Sequence, residues 1–320
     1  MKQKAKFLFL LGIVNCQLSI VSSQEHVVPF SFGDMDHWVV REIHESGIIG
    51  GNTKHLYELG PTDTIIGNTA YTNRGGSPWA NSNVMAKVAG VVKTNTSVFP
   101  ERRDDGWCAR LETRMESVKV FGLVDIEVVA AGSVFLGTVH EPIKGTKNPQ
   151  KMLQTGIPFT KKPVALQFDY KVKMSDREKR IRATGFSKIT DVAGKDYPAA
   201  ILFLQKRWED ANGNVYAKRI GTLVTYYYHS TDWKNNATYE IMYGDITSRP
   251  EYKPHMMRLQ VTENYTVNSK GESVPIHEVA WGDENDEPTH LYLQFTSSHG
   301  GAYVGSPGNS LWIDNVKLVY

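Results

Sequence analysis

Two carboxylates stand two residues apart in Leu123-Val124-Asp125-Ile126-Glu127, so an extended chain carries Asp125 and Glu127 on one face. Glycoside hydrolysis uses a carboxyl pair roughly 5–9.5 Å apart, one as acid and one as base or nucleophile. A second chemistry, sugar binding, needs flat aromatic faces for the apolar C–H side of a pyranose and polar groups for its hydroxyls. Trp79 lies near Asn81 and Asn83, Trp233 beside Asp232 and near Asn235 and Asn236, and Trp208 next to Glu209. Tyr227, between Tyr226 and Tyr228, is read as the outward residue of an alternating run. By the same parity Trp107 is expected in the core and Cys108 near the surface.

Other chemistries find no support. The chain has no GxGxxG after a strand, no GxxxxGK[ST], no HExxH and no CxxC, so no organic cofactor is expected. Its ten histidines show no ligand spacing. Lys2, Lys4 and Lys6 precede an apolar run, Phe7 to Val14, and the small residues Ser19, Ser22 and Ser23, the pattern of a cleaved export signal spanning residues 1–23. An alternative makes Cys16 a lipid-anchored cysteine. Removing the signal takes three of 36 bases and none of the 34 acids, which leaves the chain near neutral and argues against a nucleic-acid partner. Outside the signal no apolar run is long enough for a membrane-spanning helix. The expected location is the periplasm, the cell surface or the medium.

The elements that must position these residues are strands. Val164, Leu166, Phe168, Tyr170, Val172 and Met174 alternate with polar residues over one segment. Asn212-Gly213 separates two apolar runs, as in a hairpin. Near the C-terminus Leu311 and Ile313 keep a period of two that slips by one residue at Val316, Leu318 and Tyr320, which predicts a bulge at Asp314-Asn315. The expectation is an all-β protein, a two-sheet antiparallel sandwich in one domain over residues 24–320, loop-rich over 24–100 with its main part over 101–320.

The closing segment SSHGGAYVGSPGNSLWIDNVKLVY, with AAGSVFLGTV at 130–139 and TGIPFTKKPVALQFDYKVK at 155–173, resembles the putative carbohydrate metabolism domain family of exported Bacteroidetes-type proteins. The resemblance is strongest over residues 130–320 and implies a jelly-roll-like sandwich linked to glycan handling. LVDIE is similar to the tail of the laminarinase-type signature, but Leu123 stands where that pattern has its nucleophilic acid. WIDNVKLVY resembles the last strand of calcium-containing carbohydrate-binding modules, which implies a structural calcium on Asp314 with Asp34 or Asp36. The functional expectation is an exported glycan-binding sandwich using exposed aromatics. The alternatives are a glycoside hydrolase with paired carboxylates and a structural adhesion module.

Overall fold

The structure is a computed structural model that describes residues 26–320 apart from 74, 89, 121–123, 146–147, 186–187, 257 and 260–263. For 118–120, 124 and 125 only the backbone is described, so the signal segment, Cys16 and the Asp125 side chain lie outside the described residues. Among those residues the protein is all-β, and its helices are three short 3-10 turns. No helix among them is long and apolar enough to cross a membrane.

Two sheets dominate. The larger runs in the order Leu153–Thr155, Ser133–Val139, His290–Thr296, Ala199–Glu209, Val215–Tyr226, Ser273–Trp281 and Tyr265–Val267. The smaller runs Thr231–Glu240, Ala165–Lys173, Ser310–Val319, Gly106–Glu112 and Val98–Arg103. Pairing is antiparallel throughout both, except where Val215–Tyr226 meets Ser273–Trp281. A side sheet near the N-terminus joins Thr53–Leu59, Trp38–His44 and Asp63–Ile66.

Alternation explains the layers. Leu166, Phe168 and Val172, with Leu311 and Ile313, turn inward from the small sheet and meet Leu202, Leu204, Leu291, Leu293 and Phe295 of the large one. Phe168 meets Phe295 edge-on at 4.8 Å across the gap between sheets. The expected bulge is present: Gln167 pairs with Lys317 while Asp169 pairs with Asp314, and Asn315 takes a φ of 52°. That extra residue lets both Ile313 and Val316 face the core.

One expectation about parity needs correction. Ala109 and Leu111 are buried as predicted, but Trp107, at the strand's beginning, is exposed with Arg102 lying 5.0 Å from its ring. Cys108 points away from the core and is nevertheless buried, with its Sγ 3.4 Å from the Glu101 carbonyl. Burial pushes its thiol up to about 12.

Candidate functional site

Of the four aromatics expected as platforms, two are core residues. Trp79 is 2% exposed on a strand that pairs with Ser133–Val139, and its Nε1 donates to the Ser31 carbonyl at 2.9 Å. Tyr227 is 6% exposed and sits 4.6 Å from the Tyr170 ring. Trp233 lies on the Thr231–Glu240 strand, not on a loop, and the Arg103 guanidinium covers its ring at 3.9 Å. Trp208 alone of the four is exposed, at 42%, stacked at 5.9 Å on Tyr216, which in turn lies 5.8 Å from His277.

The acidic candidates separate. Asp314 and Asp169 face each other on neighbouring strands and share one nitrogen of Arg103, at 2.6 and 2.9 Å. Burial pushes Asp314 up to about 6 against the pull of Arg103. Burial acts on Asp169 in the same sense, but the Asn236 amide, the Asn315 side chain and Arg103 outweigh it and hold that carboxyl below its ordinary value. The Arg103 guanidinium thus sits on Asp314, the residue on which the sequence suggested a calcium ion. Asp36 uses its carboxylate on the Trp107 amide at 2.6 Å, and Asp34 accepts from the Asp36 amide at 3.4 Å. Among the described residues no group of three His, Cys, Asp or Glu is placed to hold a metal. Glu127 is half-buried on Val124–Ala130, in a side sheet apart from the two main ones.

Where Tyr227 turns in, its neighbours turn out. Ala199 pairs with both Tyr226 and Thr296, so three adjacent strands of the large sheet reach one end together. Tyr197 precedes the first of them, Tyr226 ends the second, and His299 follows the third. The short 3-10 turn Pro254–Met256 brings His255 to the same place.

The rings form a closed circuit. His299 lies between Tyr197, stacked at 5.5 Å, and Tyr226, at 4.6 Å. His255 stacks on Tyr226 at 4.8 Å. Tyr228, 47% exposed, closes the circuit edge-on, 4.7 Å from Tyr197 and 6.3 Å from His255, and its hydroxyl is 3.3 Å from His255 Nδ1. Tyr226 also packs on a small apolar cluster of Ala199, Ile201, Phe203, Val224 and Tyr292, which anchors the circuit to the outer face of the sheet.

Buried Asp196 fixes the loops beneath. It accepts from the Ser298 hydroxyl and the Ser306 amide, both at 2.8 Å, and lies 3.3 Å from His299 Nδ1. A side chain at Gly300 would place its Cβ 2.4 Å from the Val304 carbonyl, so this turn after His299 requires glycine. Arg180 reaches His299 Nε2 at 3.5 Å and the Ala193 carbonyl at 2.7 Å, and its buried Nε has no hydrogen-bond partner among the described residues. Burial, with Lys253 and His299 nearby, lowers the His255 pKa, which favours the neutral ring. Half-exposed aromatic faces beside one guanidinium can receive the C–H side of a sugar ring and hydrogen-bond its hydroxyls.

None of these five rings is among the aromatics that the sequence singles out, Trp79, Trp208, Tyr227 and Trp233. Tyr226 and Tyr228 were in view but assigned the wrong parity, and nothing local links Tyr197, His255 and His299.

The putative carbohydrate metabolism domain matches residues 60–319. The chain belongs to that family. Two solved structures are similar to it. A putative glycoside hydrolase from Bacteroides thetaiotaomicron VPI-5482 shares 18% identity with a TM-score of 0.45, covering 84% of this chain and 75% of that one. A putative glycoside hydrolase from Bacteroides vulgatus ATCC 8482 shares 13% identity with a TM-score of 0.40, covering 92% and 95%. No curated protein matches the chain.

Proposed function

We propose that this member of the carbohydrate metabolism family binds a glycan on the five-ring surface at the end of the large sheet. The observation that carries the reading is the closed circuit of Tyr197, His299, Tyr226, His255 and Tyr228, assembled from four separate segments and open to solvent at Tyr228. Tyr228 is half open to solvent there, whereas Trp79 and Tyr227 are sealed in the core. The lysine-flanked apolar run before residue 15 supports an exported protein, which would meet polysaccharide outside the cytoplasm.

Binding is favoured over hydrolysis by the state of the close carboxyl pairs described above and one more. Glu58 and Glu141 converge on Arg41 at 2.9 and 2.6 Å, as Asp169 and Asp314 converge on Arg103. An arginine fixed between two carboxylates offsets one of the two charges and fills the gap between them, where a scissile bond would have to lie. The test is a glycan array of the full chain beside its Tyr228→Ala and Trp208→Ala variants. Loss of signal in the first with retention in the second supports the ring circuit. Loss only in the second moves the site to the Trp208 row.

A further inference from the structure

A groove of about 240 Å³ opens far along the chain from those rings, where the side sheet near the N-terminus meets the edge strand Val98–Arg103 of the small sheet. Phe99 and Tyr57 line it as a tilted pair at 6.2 Å, and the Thr94 and Thr96 side chains border it. Three permanent cations also line it. Lys54 is exposed and makes no ion pair among the described residues. Lys93 lies 3.2 Å from Glu45, but that carboxylate is buried outside the groove lining and already accepts from the Thr94 amide and hydroxyl at 2.9 and 2.8 Å. Arg114 stands 5.8 Å from the Phe99 ring, and its Nε lies 3.0 Å from Glu116 Oε1.

We propose that this groove binds a saccharide bearing an acidic group, with the anion held by Lys54, Lys93 and Arg114 and the sugar ring against Phe99. An aromatic floor suits a ring with an apolar face. Cations around it, with Lys54 in no ion pair among the described residues, suit an anion, because a charge-assisted hydrogen bond is stronger than a neutral one. Glu116 is the single carboxyl lining the groove. Burial raises its pKa, Glu45 adds to the rise, and Arg114, Lys93 and Lys54 oppose it; His55, 3.7 Å from Glu42, and Tyr57 are the other titratable groups of the lining. An arriving anion raises Glu116 further, so binding takes up a proton and tightens as pH falls.

The experiment is titration calorimetry of the full chain with three gluco-oligosaccharides of equal length: unmodified, oxidised to the 6-uronate, and 6-sulfated. The proposal expects both acidic ligands to bind at least about tenfold more tightly than the neutral one, the size of a charge-assisted hydrogen bond. The stronger of the two identifies the natural acid group. Arg114→Gln is expected to weaken acidic binding by about tenfold and exposed Lys54→Ala by a few-fold. Raising salt weakens it as well. In two buffers of different ionisation heat the apparent enthalpies differ for wild type, and the difference shrinks for Glu116→Gln with His55 left in place, a readout that a purely structural role would not move. The same titrations are repeated on the Tyr228→Ala chain, which removes the heat of binding at the ring circuit, so failure there and failure here are separable. Equal binding of neutral and acidic ligands, insensitivity to both basic variants, or tighter binding of uridine monophosphate than of either acidic sugar overturns the assignment.

Discussion

Three successive tyrosines offer a sharp test, because one step along a strand exchanges the core for the surface. Tyr227 is 6% exposed within the main core, while Tyr228 is 47% exposed at the ring circuit. Truncating a fully packed aromatic costs about 3–5 kcal/mol, since the surrounding side chains only partly close the cavity. Tyr227→Ala should therefore lower the urea midpoint by that equivalent, with an unchanged slope, and leave glycan affinity intact in the folded fraction. Tyr228→Ala should cost about 0.5 kcal/mol or less in stability, as expected of a half-exposed side chain. Its loss of a sugar-facing ring should weaken binding by about 1–2 kcal/mol, or about five- to thirty-fold. Circular dichroism in urea gives the first quantity, and calorimetry with the best glycan from the array gives the second. If Tyr227→Ala loses binding with under about 1 kcal/mol of destabilisation, or Tyr228→Ala unfolds the chain, the assigned parity is refuted.

Arg103→Met would leave Asp169 and Asp314 facing each other without their cation, and should cost about 3–5 kcal/mol at pH 7, less at pH 5 where one carboxyl protonates. Thermal melts at the two pH values check it. Asp314→Asn should be tolerated better: with a folded pKa of about 6 against an ordinary 3.8, its stability contribution is full below 3.8 and is lost as pH rises through 6. A chelator tests the calcium expected on Asp314: an unchanged melting midpoint rejects a stabilising ion, and a drop places one in the protein. His290 is held at about 4 by burial and then by Arg207, so it opposes folding in acid. That contribution is present above 6.5 and is lost as pH falls toward 4, on the order of 1–2 kcal/mol after allowing for partial solvent screening. His290→Gln should flatten the stability curve in this window.

Period-two alternation was enough to place Val164 to Met174 in a strand with Leu166 and Phe168 facing in, because one buried face of a sheet imposes its polarity on the chain. The slip between Ile313 and Val316 likewise revealed the bulge, since both residues had to reach the same core. The family match likewise spans contiguous sequence, residues 60–319, and within it the turn after His299 has no room for a side chain at Gly300.

The contacts between distant segments left no such trace. Trp79 and Trp208 look alike as letters, each beside polar residues, and only the packing of Phe30 and Ser31 over the first seals it. Nothing near Asp314 in the sequence announces that Arg103, more than two hundred residues away, lies between it and Asp169. Tyr197, His255 and His299 carry no common local signal, and the groove's Lys54, Phe99 and Arg114 come from three different strands. The chain's own pattern determined which residues alternate, because that depends on neighbours two positions apart. Which side chains meet was decided by strand order and by the ends at which strands stop together, and those follow from the packing of the whole sandwich.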